Sequence, residues 1–294
     1  MEFNKIITAD SLEHLKTLDE NVFDSCVTDP PYHLQSIVKR FTKGPAAKHG
    51  KDGSFTRLSK GFMGQEWDGG DIAFQKELWE QVYRTIKPGA VLLAFSATRN
   101  YHKMATAIED GGFEIFDMIN WIYGSGFPKR KNLLKPAHEP IVMARKGVNK
   151  ELNLDECRVN GDNPKKWTKP KGGFWKTDSN TKAEYVENTK GRWPANIIHD
   201  GLDEEWARYF YSAKASKKEK DGSDHPTVKP LELMKYLVRL VTPKDGLVLD
   251  PFAGTGTTGE AAILENRKYY LIEKTKKYIP VINKRLNKYN SLFI

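Results

Sequence analysis

Leu247-Val248-Leu249-Asp250-Pro251-Phe252-Ala253-Gly254-Thr255-Gly256-Thr257-Thr258-Gly259 reads as an apolar strand that ends in Asp-Pro and turns through glycines into a helix. The helical pattern covers residues 260–266. Another strand, 268–272, ends at Glu273. Glycines in such a turn let a ligand approach the backbone, and a helix start favours negative charge. A carboxylate at the tip of the next strand is placed to accept from ribose hydroxyls. Strand, turn, helix and strand in this order describe a nucleoside-type cofactor site.

A strand of similar design lies near the other end. Val22-Phe23-Asp24-Ser25-Cys26-Val27-Thr28 runs into Asp29-Pro30-Pro31-Tyr32. Neither Pro30 nor Pro31 has a backbone N–H. The segment is therefore rich in acceptors, the Asp29 carboxylate and free carbonyls, with the aromatic face of Tyr32 beside them. That suits a planar substrate with an NH2 group, such as a nucleobase with an exocyclic amine. The plainer alternative is a strand followed by a rigid turn.

The elements around these motifs alternate. Residues 5–8 read as a strand, and 11–17 as a helix that Asp10 could cap. Residues 73–86 read as an amphipathic helix stopped by Lys87-Pro88-Gly89. Residues 91–95 form an apolar strand, 99–109 a helix, and 113–123 and 140–144 two further strands. Later come a helix over 231–241 and a closing basic helix over 276–290. This alternation predicts an α/β fold: a doubly wound, mostly parallel sheet with helices on both faces.

The 294-residue chain carries 47 basic and 38 acidic residues, a formal net charge of +9. No apolar run is long enough to span a membrane, and no membrane partner is expected. The first residues show no signal-peptide pattern. Cys26 and Cys157 make neither a disulfide framework nor a metal site, so no metal is expected and a reducing cytoplasm fits. Between His33 and Gln65 stand Lys39, Arg40, Lys43, Lys48, Lys51, Arg57 and Lys60 against the single acid Asp52. That window begins just after Tyr32. Its charge suits a polyanion, although a solvated loop would look similar.

Regular alternation stops near residue 146 and resumes near 230. Residues 147–222 interleave Lys, Asn, Gly and Trp, as in Lys165-Lys166-Trp167, Gly173-Phe174-Trp175-Lys176 and Arg192-Trp193-Pro194. Basic residues beside aromatics suit phosphates and stacked bases. The same composition also fits an irregular subdomain with a small tryptophan core. The organisation expected is a catalytic domain of residues 1–146 and 223–294, including a basic loop over 33–70, with an inserted module over 147–222.

Together these segments resemble the S-adenosylmethionine-dependent DNA amino-methyltransferases. Asp29-Pro30-Pro31-Tyr32 resembles their catalytic motif, and Asp250-Pro251-Phe252-x-Gly254-x-Gly256-Thr257-Thr258 their cofactor motif. His225-Pro226-Thr227-x-Lys229-Pro230 resembles the segment that precedes the cofactor motif. With the catalytic motif first, the order is that of the permuted β group. Residues 61–68 and 123–129 look like phage- and prophage-borne members.

The resemblance implies a seven-stranded-type class I methyltransferase sheet, S-adenosylmethionine as cofactor and double-stranded DNA as substrate. Asp29 and the Pro30 carbonyl would accept the amine hydrogens of a flipped base, and Tyr32 would stack on it. Asp250, Pro251, Phe252, the Gly254–Gly256 turn, Thr257 and Thr258 would hold the cofactor. Glu273 would bind its ribose, Asp10 would lie near its adenine, and Thr227 and Lys229 near its methionine carboxylate. Lys39, Arg40, Lys43, Trp167, Trp175 and Arg192 are the candidates for DNA contact. An Asp at the head of the catalytic motif looks like the adenine-N6 enzymes, with N4-cytosine as the alternative. A homodimer and a cognate restriction endonuclease are further partners that the resemblance suggests.

Two other classes compete. Gly254-x-Gly256-x-x-Gly259 with Glu273 downstream also fits a nicotinamide dinucleotide fingerprint. Only 35 residues follow Gly259, too few for the further βαβ units that such an oxidoreductase domain needs. A non-catalytic DNA-binding protein would explain the charge but not two Asp-Pro strand ends.

Overall fold

Among the described residues, one sheet of nine strands organises the chain. The strands are β1 (Lys5–Ile7), β2 (Phe23–Thr28), β3 (Ile86–Phe95), β4 (Glu114–Ile122), β5 (His138–Arg145), β6 (Ile197–His199), β7 (Phe210–Tyr211), β8 (Leu247–Asp250) and β9 (Lys268–Ile272). Their order is β1-β9-β8-β2-β3-β5-β4-β6-β7. The computed structural model describes residues 2–32, 71–123, 134, 137–148, 151–159, 191–200, 210–211, 215 and 228–289. Strand β5 runs antiparallel to both neighbours, and every other pairing is parallel. Seven strands make the body of the sheet, as expected for a class I methyltransferase-like fold. The short β6 and β7 extend one edge.

Helices cover both faces because residues along each central strand alternate between two apolar layers. Val27, Leu93, Phe95, Met143, Val248 and Leu271 face one layer, which includes residues of α4 (Leu231–Val241), α5 (Thr257–Leu264) and α6 (Ile279–Asn287). Cys26, Leu92, Ala94, Val142, Leu249 and Tyr270 face the other. That layer takes in α1 (Ser11–Lys16), α2 (Lys76–Thr85) and α3 (Tyr101–Asp110). A strand buried on both faces reads as a continuous apolar run, which is how β3 and β8 appear in the sequence.

The chain reverses its winding between β8 and β2. From β8 the path goes through α5 to β9 on one side. From β2 it goes through α2 to β3 on the other. Such a reversal opens a crevice at the carboxyl ends of the two strands, and ligands of doubly wound sheets bind there. Asp250 ends β8 and Asp29 directly follows β2.

Several boundaries differ from expectation for local reasons. Helix α2 ends at Thr85, before Lys87-Pro88-Gly89, and those residues lie within strand β3, which begins at Ile86. Its pairing with β2 jumps from Phe23↔Ile86 to Ser25↔Val91, so Lys87–Ala90 bulge out of register. Gly89 makes this turn at φ 77° and donates its N–H to the Lys146 carbonyl at 2.7 Å. The first turn of the helix after Gly256 starts at Thr257, three residues before its apolar pattern.

Both margins of the 147–222 interval are tied to the main body. The Asn153 side chain donates to the carbonyls of Arg239 and Thr242 at 2.8 and 2.7 Å, and Cys157 is buried in the core. Arg267, itself buried, holds Glu156 at 2.9 Å. At the other margin β6 pairs with β4. Residues 160–190, with Trp167 and Trp175, lie outside the described residues, as does the basic window with Lys39, Arg40 and Lys43. No helix among the described residues is long and apolar enough to cross a membrane.

Candidate active site

The two Asp-Pro strand ends meet. Thr28, the last residue of β2, donates its hydroxyl to Asp250 Oδ1 at 2.8 Å. The same oxygen accepts the Phe252 N–H at 3.0 Å, and Oδ2 accepts the Thr258 hydroxyl at 2.5 Å. Asp250 is 2% exposed. Burial pushes its pKa up to about 6, against the pull of these three donors. Asp250, Thr257 and Thr258 were expected at the cofactor. All three are buried. The carboxylate and the Thr258 hydroxyl are occupied with each other, so they fix the turn after β8 rather than offering free groups.

That turn uses the left-handed backbone that glycine adopts freely. Gly254 and Gly256 have φ of 55° and 79°. A Cβ on Gly256 would stand 2.8 Å from Ile282 Cγ2 on α6. The close approach that requires glycine here is to the protein's own helix. Pro251 accepts the Ser11 hydroxyl through its carbonyl, and Phe252 is half-buried against the α1 layer. Glu273, at the tip of β9, accepts the Gly254 N–H at 2.8 Å on one oxygen and the Thr275 N–H at 2.7 Å on the other. Burial raises its pKa, with these backbone donors opposing. Asp10 sits at the end of the adjacent β1, caps α1 and pairs with Lys274 at 3.0 Å.

These residues fit a nucleoside cofactor. Glu273 accepts two backbone N–H groups and the Thr275 hydroxyl, and a carboxylate has four lone-pair sites, so capacity remains for a ribose hydroxyl. The turn below it holds a positive-φ backbone in place. Asp10 lies one strand further along the same edge.

On the other side of the crevice a buried charge cluster surrounds Asp29. Lys229 Nζ donates to Asp29 Oδ2 at 2.5 Å and to the Tyr32 hydroxyl at 3.1 Å. It also lies 3.4 Å from Glu139 Oε2, which accepts the Tyr32 hydroxyl at 3.3 Å. The ammonium sits over the rings of Phe95 and Tyr32, at 4.8 and 5.4 Å. Burial alone would lower the Lys229 pKa, but the Asp29 and Glu139 carboxylates outweigh it and raise it. Burial, then the same two carboxylates, push the Tyr32 hydroxyl well above its usual range. Asn100 pins the Tyr32 carbonyl at 2.7 Å. Asp29 Oδ1 is buried and, among the described residues, meets no donor.

The structure thus brings Asp29, Pro30, Pro31, Tyr32 and Lys229 to one side of the switch point. Asp250, Gly254, Gly256, Glu273 and Asp10 stand on the other. Lys229, expected beside the cofactor's methionine carboxylate, pairs with Asp29 and Glu139, two carboxylates that offset its burial. Thr227 lies outside the described residues. Arg192 pairs its backbone with Val159, and the neighbouring Trp193 is exposed beneath the Arg158 guanidinium at 5.2 Å. Sequence reasoning missed Glu139, Asn100 and Phe95. Glu139 is the one charged residue heading the apolar run of β5, and the antiparallel direction of β5 is what turns that end toward the site. Strand direction is not legible from the strand's own residues.

Residues 23–284 match the family model described as DNA methylase (N6_N4_Mtase). The chain is 28% identical to the Type II methyltransferase M.HindIII of Haemophilus influenzae, over 96% of the chain and 94% of that protein. It is 27% identical to the Type II methyltransferase M.HpaI of Haemophilus parainfluenzae, over 96% and 74%. Among solved structures, the M1.HpyAVI–SAM complex aligns with TM-score 0.55 at 21% identity, covering 96% of this chain and 98% of that one. The cytosine-N4-specific PvuII DNA methyltransferase aligns with TM-score 0.56 at 18% identity, covering 98% and 94%. Both likenesses are of fold.

Proposed function

The chain belongs to the DNA methylase family, and from that premise we propose that it methylates the N6 amine of an adenine flipped out of duplex DNA. The observation that carries this reading is the state of Asp29. One oxygen is anchored by Lys229 and the other is a buried acceptor with no donor among the described residues. An unmatched buried acceptor is costly unless a ligand completes it. An exocyclic amine supplies the missing N–H.

The amine of adenine is a poor nucleophile because its lone pair is delocalised into the ring. Asp29 Oδ1 accepts one amine hydrogen and the Pro30 carbonyl the second, which draws the nitrogen toward tetrahedral geometry. Asp29 also opposes the positive charge that develops there. Tyr32, its carbonyl pinned by Asn100, offers a ring for stacking, worth about 1–3 kcal/mol against the cost of flipping. When bound, S-adenosylmethionine would supply the methyl group from its sulfonium, leaving as a neutral thioether without help from a metal, and the methylated amine would then give up one proton. Glu273 and Asp10 hold the nucleoside end across the switch point.

DNA reaches this crevice through residues proposed on charge and composition. The 33–65 window, with Lys39, Arg40 and Lys43, contacts phosphates near the flipped base. The 147–222 module, with Trp167, Trp175 and Arg192, reads sequence. Replacing Lys39, Arg40 and Lys43 by Ala should flatten the salt dependence of binding by about one unit of slope for each phosphate no longer neutralised, and leave the methylated motif unchanged. Cytosine N4 is the second reading, since the same acceptors serve any exocyclic amine and the family model spans both. Methylated-base analysis of DNA from expressing cells decides. N6-methyladenine is expected; N4-methylcytosine would overturn the choice of base, and no methylated amine would overturn the reaction.

A further inference from the structure

The proposed reaction leaves Glu139 without a task, yet it lies in the same buried cluster. It heads β5 and reaches both Lys229 and the Tyr32 hydroxyl. Lys229 is 7% exposed, and its ammonium stands 2.5 Å from the carboxylate that must face a developing cation. By itself, the Asp29–Lys229 pair is neutral. An amine nitrogen gaining positive charge would then meet a cation almost as close as the anion, in a setting where water screens little.

We infer that Glu139 offsets Lys229, so that the Asp29–Lys229–Glu139 cluster keeps one full negative charge beside the methyl-transfer position, in addition to whatever charge Asp250 carries. Asp29 and Glu139 carry two negative charges, Lys229 one positive, and the Tyr32 hydroxyl stays neutral. Lys229 can then do two things at once. It fixes Asp29 Oδ2, so that Oδ1 keeps its direction, and it does not cancel the field that Asp29 exerts. Glu139 acts through Lys229 and is a positioning residue in electrostatic terms. The inference rests on reading Asp29 as the amine acceptor and a sulfonium as the methyl donor.

The test compares Glu139→Gln, Lys229→Gln and the double variant. Gln at 139 keeps the length and an oxygen for Tyr32 and Lys229. The readout is the ratio of affinities, by calorimetry, for S-adenosylmethionine and its demethylated product. The two ligands differ by one positive charge at sulfur, so their ratio reports the pocket's charge without turnover. Glu139→Gln should lower the preference for the sulfonium about tenfold, Lys229→Gln should raise it, and the double variant should return near the parent value. The turnover of Glu139→Gln should fall about 10- to 100-fold and recover in part when Lys229→Gln is added.

A ratio unmoved in both single variants overturns the inference, as does a double variant whose ratio stays displaced from the parent or whose turnover is no better than that of Glu139→Gln. Thermal unfolding checks that each variant folds. Should Glu139→Gln not fold, Lys229→Gln decides alone, and an unchanged or lower preference for the sulfonium rejects the idea. Failure of the underlying reading looks different. It would show as near-normal methylation by Asp29→Ala, whereas an inactive Asp29→Ala with unmoved ratios rejects only the role of Glu139.

Discussion

Asp29 and Asp250 carry the same local signature, an aspartate before proline at the end of a buried parallel strand, and they do opposite things. Asp250 accepts from Thr28, Thr258 and Phe252, all neutral donors of the protein itself. Asp29 is gripped on one oxygen by an ammonium and keeps the other oxygen buried without a donor among the described residues. The difference comes from the following residues. After Asp250 a glycine turn leads straight into a helix whose first residues curl back to it. After Asp29 a second proline withholds the next N–H. The saturated carboxylate shapes a turn, and on the proposed function the unsaturated one meets a ligand.

The sharpest way to break this comparison is to remove each carboxylate in turn. Asp29→Ala should lower turnover by about 10³-fold or more, the cost of losing a preorganised charge at the reacting centre. Cofactor binding should be largely retained, because the turn after β8 is untouched. Methylation with a labelled donor checks the first statement and calorimetry the second. Near-normal turnover would make Asp29 another structural aspartate.

Asp250 should show itself in stability instead, with a definite sign. Its folded-state pKa, about 6, is raised from the ordinary 3.8, first by burial. A raised carboxyl binds its proton more tightly when folded. Its contribution is therefore full below about pH 4 and is lost as pH rises through about 6. A shift of roughly two units corresponds to about 3 kcal/mol. Other acids titrate in the same range, so the useful quantity is the stability of the parent minus that of Asp250→Asn, from urea unfolding. That gap should grow by about 2–2.5 kcal/mol in favour of the parent between pH 7 and pH 4, and approach about 3 kcal/mol only at lower pH. A gap independent of pH would mean that the buried site carries its charge at no cost.

Much of this was legible in the sequence. Both Asp-Pro motifs, helix 231–241 and strand 268–272 fall where apolar periodicity and the Gly turn place them, since buried parallel strands declare themselves as short apolar runs. The switch point was not legible, because strand order depends on which side each helix packs. Nor was the Lys229–Glu139 pair. Residues 90 positions apart in the chain meet only because β5 runs antiparallel. The reason for glycine at 256 also needed the structure. From sequence it was a place for a ligand or a tight turn, and it proves to be tight against Ile282.

Gly256→Ala therefore tests the structural side of the comparison. At φ 79° an alanine is strained, and its Cβ would collide with Ile282 Cγ2 at 2.8 Å. About 1–2 kcal/mol of stability should be lost. Adding Ile282→Ala should relieve the collision but not the strain. If Gly256→Ala unfolds at the parent's urea midpoint, the turn is more pliable than its geometry indicates.

The smallest effect should come from the bond that joins the two motifs. Thr28→Val keeps the shape of a fully buried side chain and removes one of the donors to Asp250. The Phe252 N–H still reaches the same oxygen, and the β2–β8 backbone pairing at Ser25 and Cys26 is untouched. The loss should be about 1 kcal/mol, that of one buried hydrogen bond. With one donor fewer, the pKa of Asp250 should rise further, which moves the pH-dependent gap to higher pH. Turnover should stay within a few-fold of the parent, because both oxygens of Asp29 keep their surroundings. A collapse of turnover like that of Asp29→Ala would show that the two strand ends act as one catalytic unit, and that the division between a shaping and a reacting aspartate is wrong.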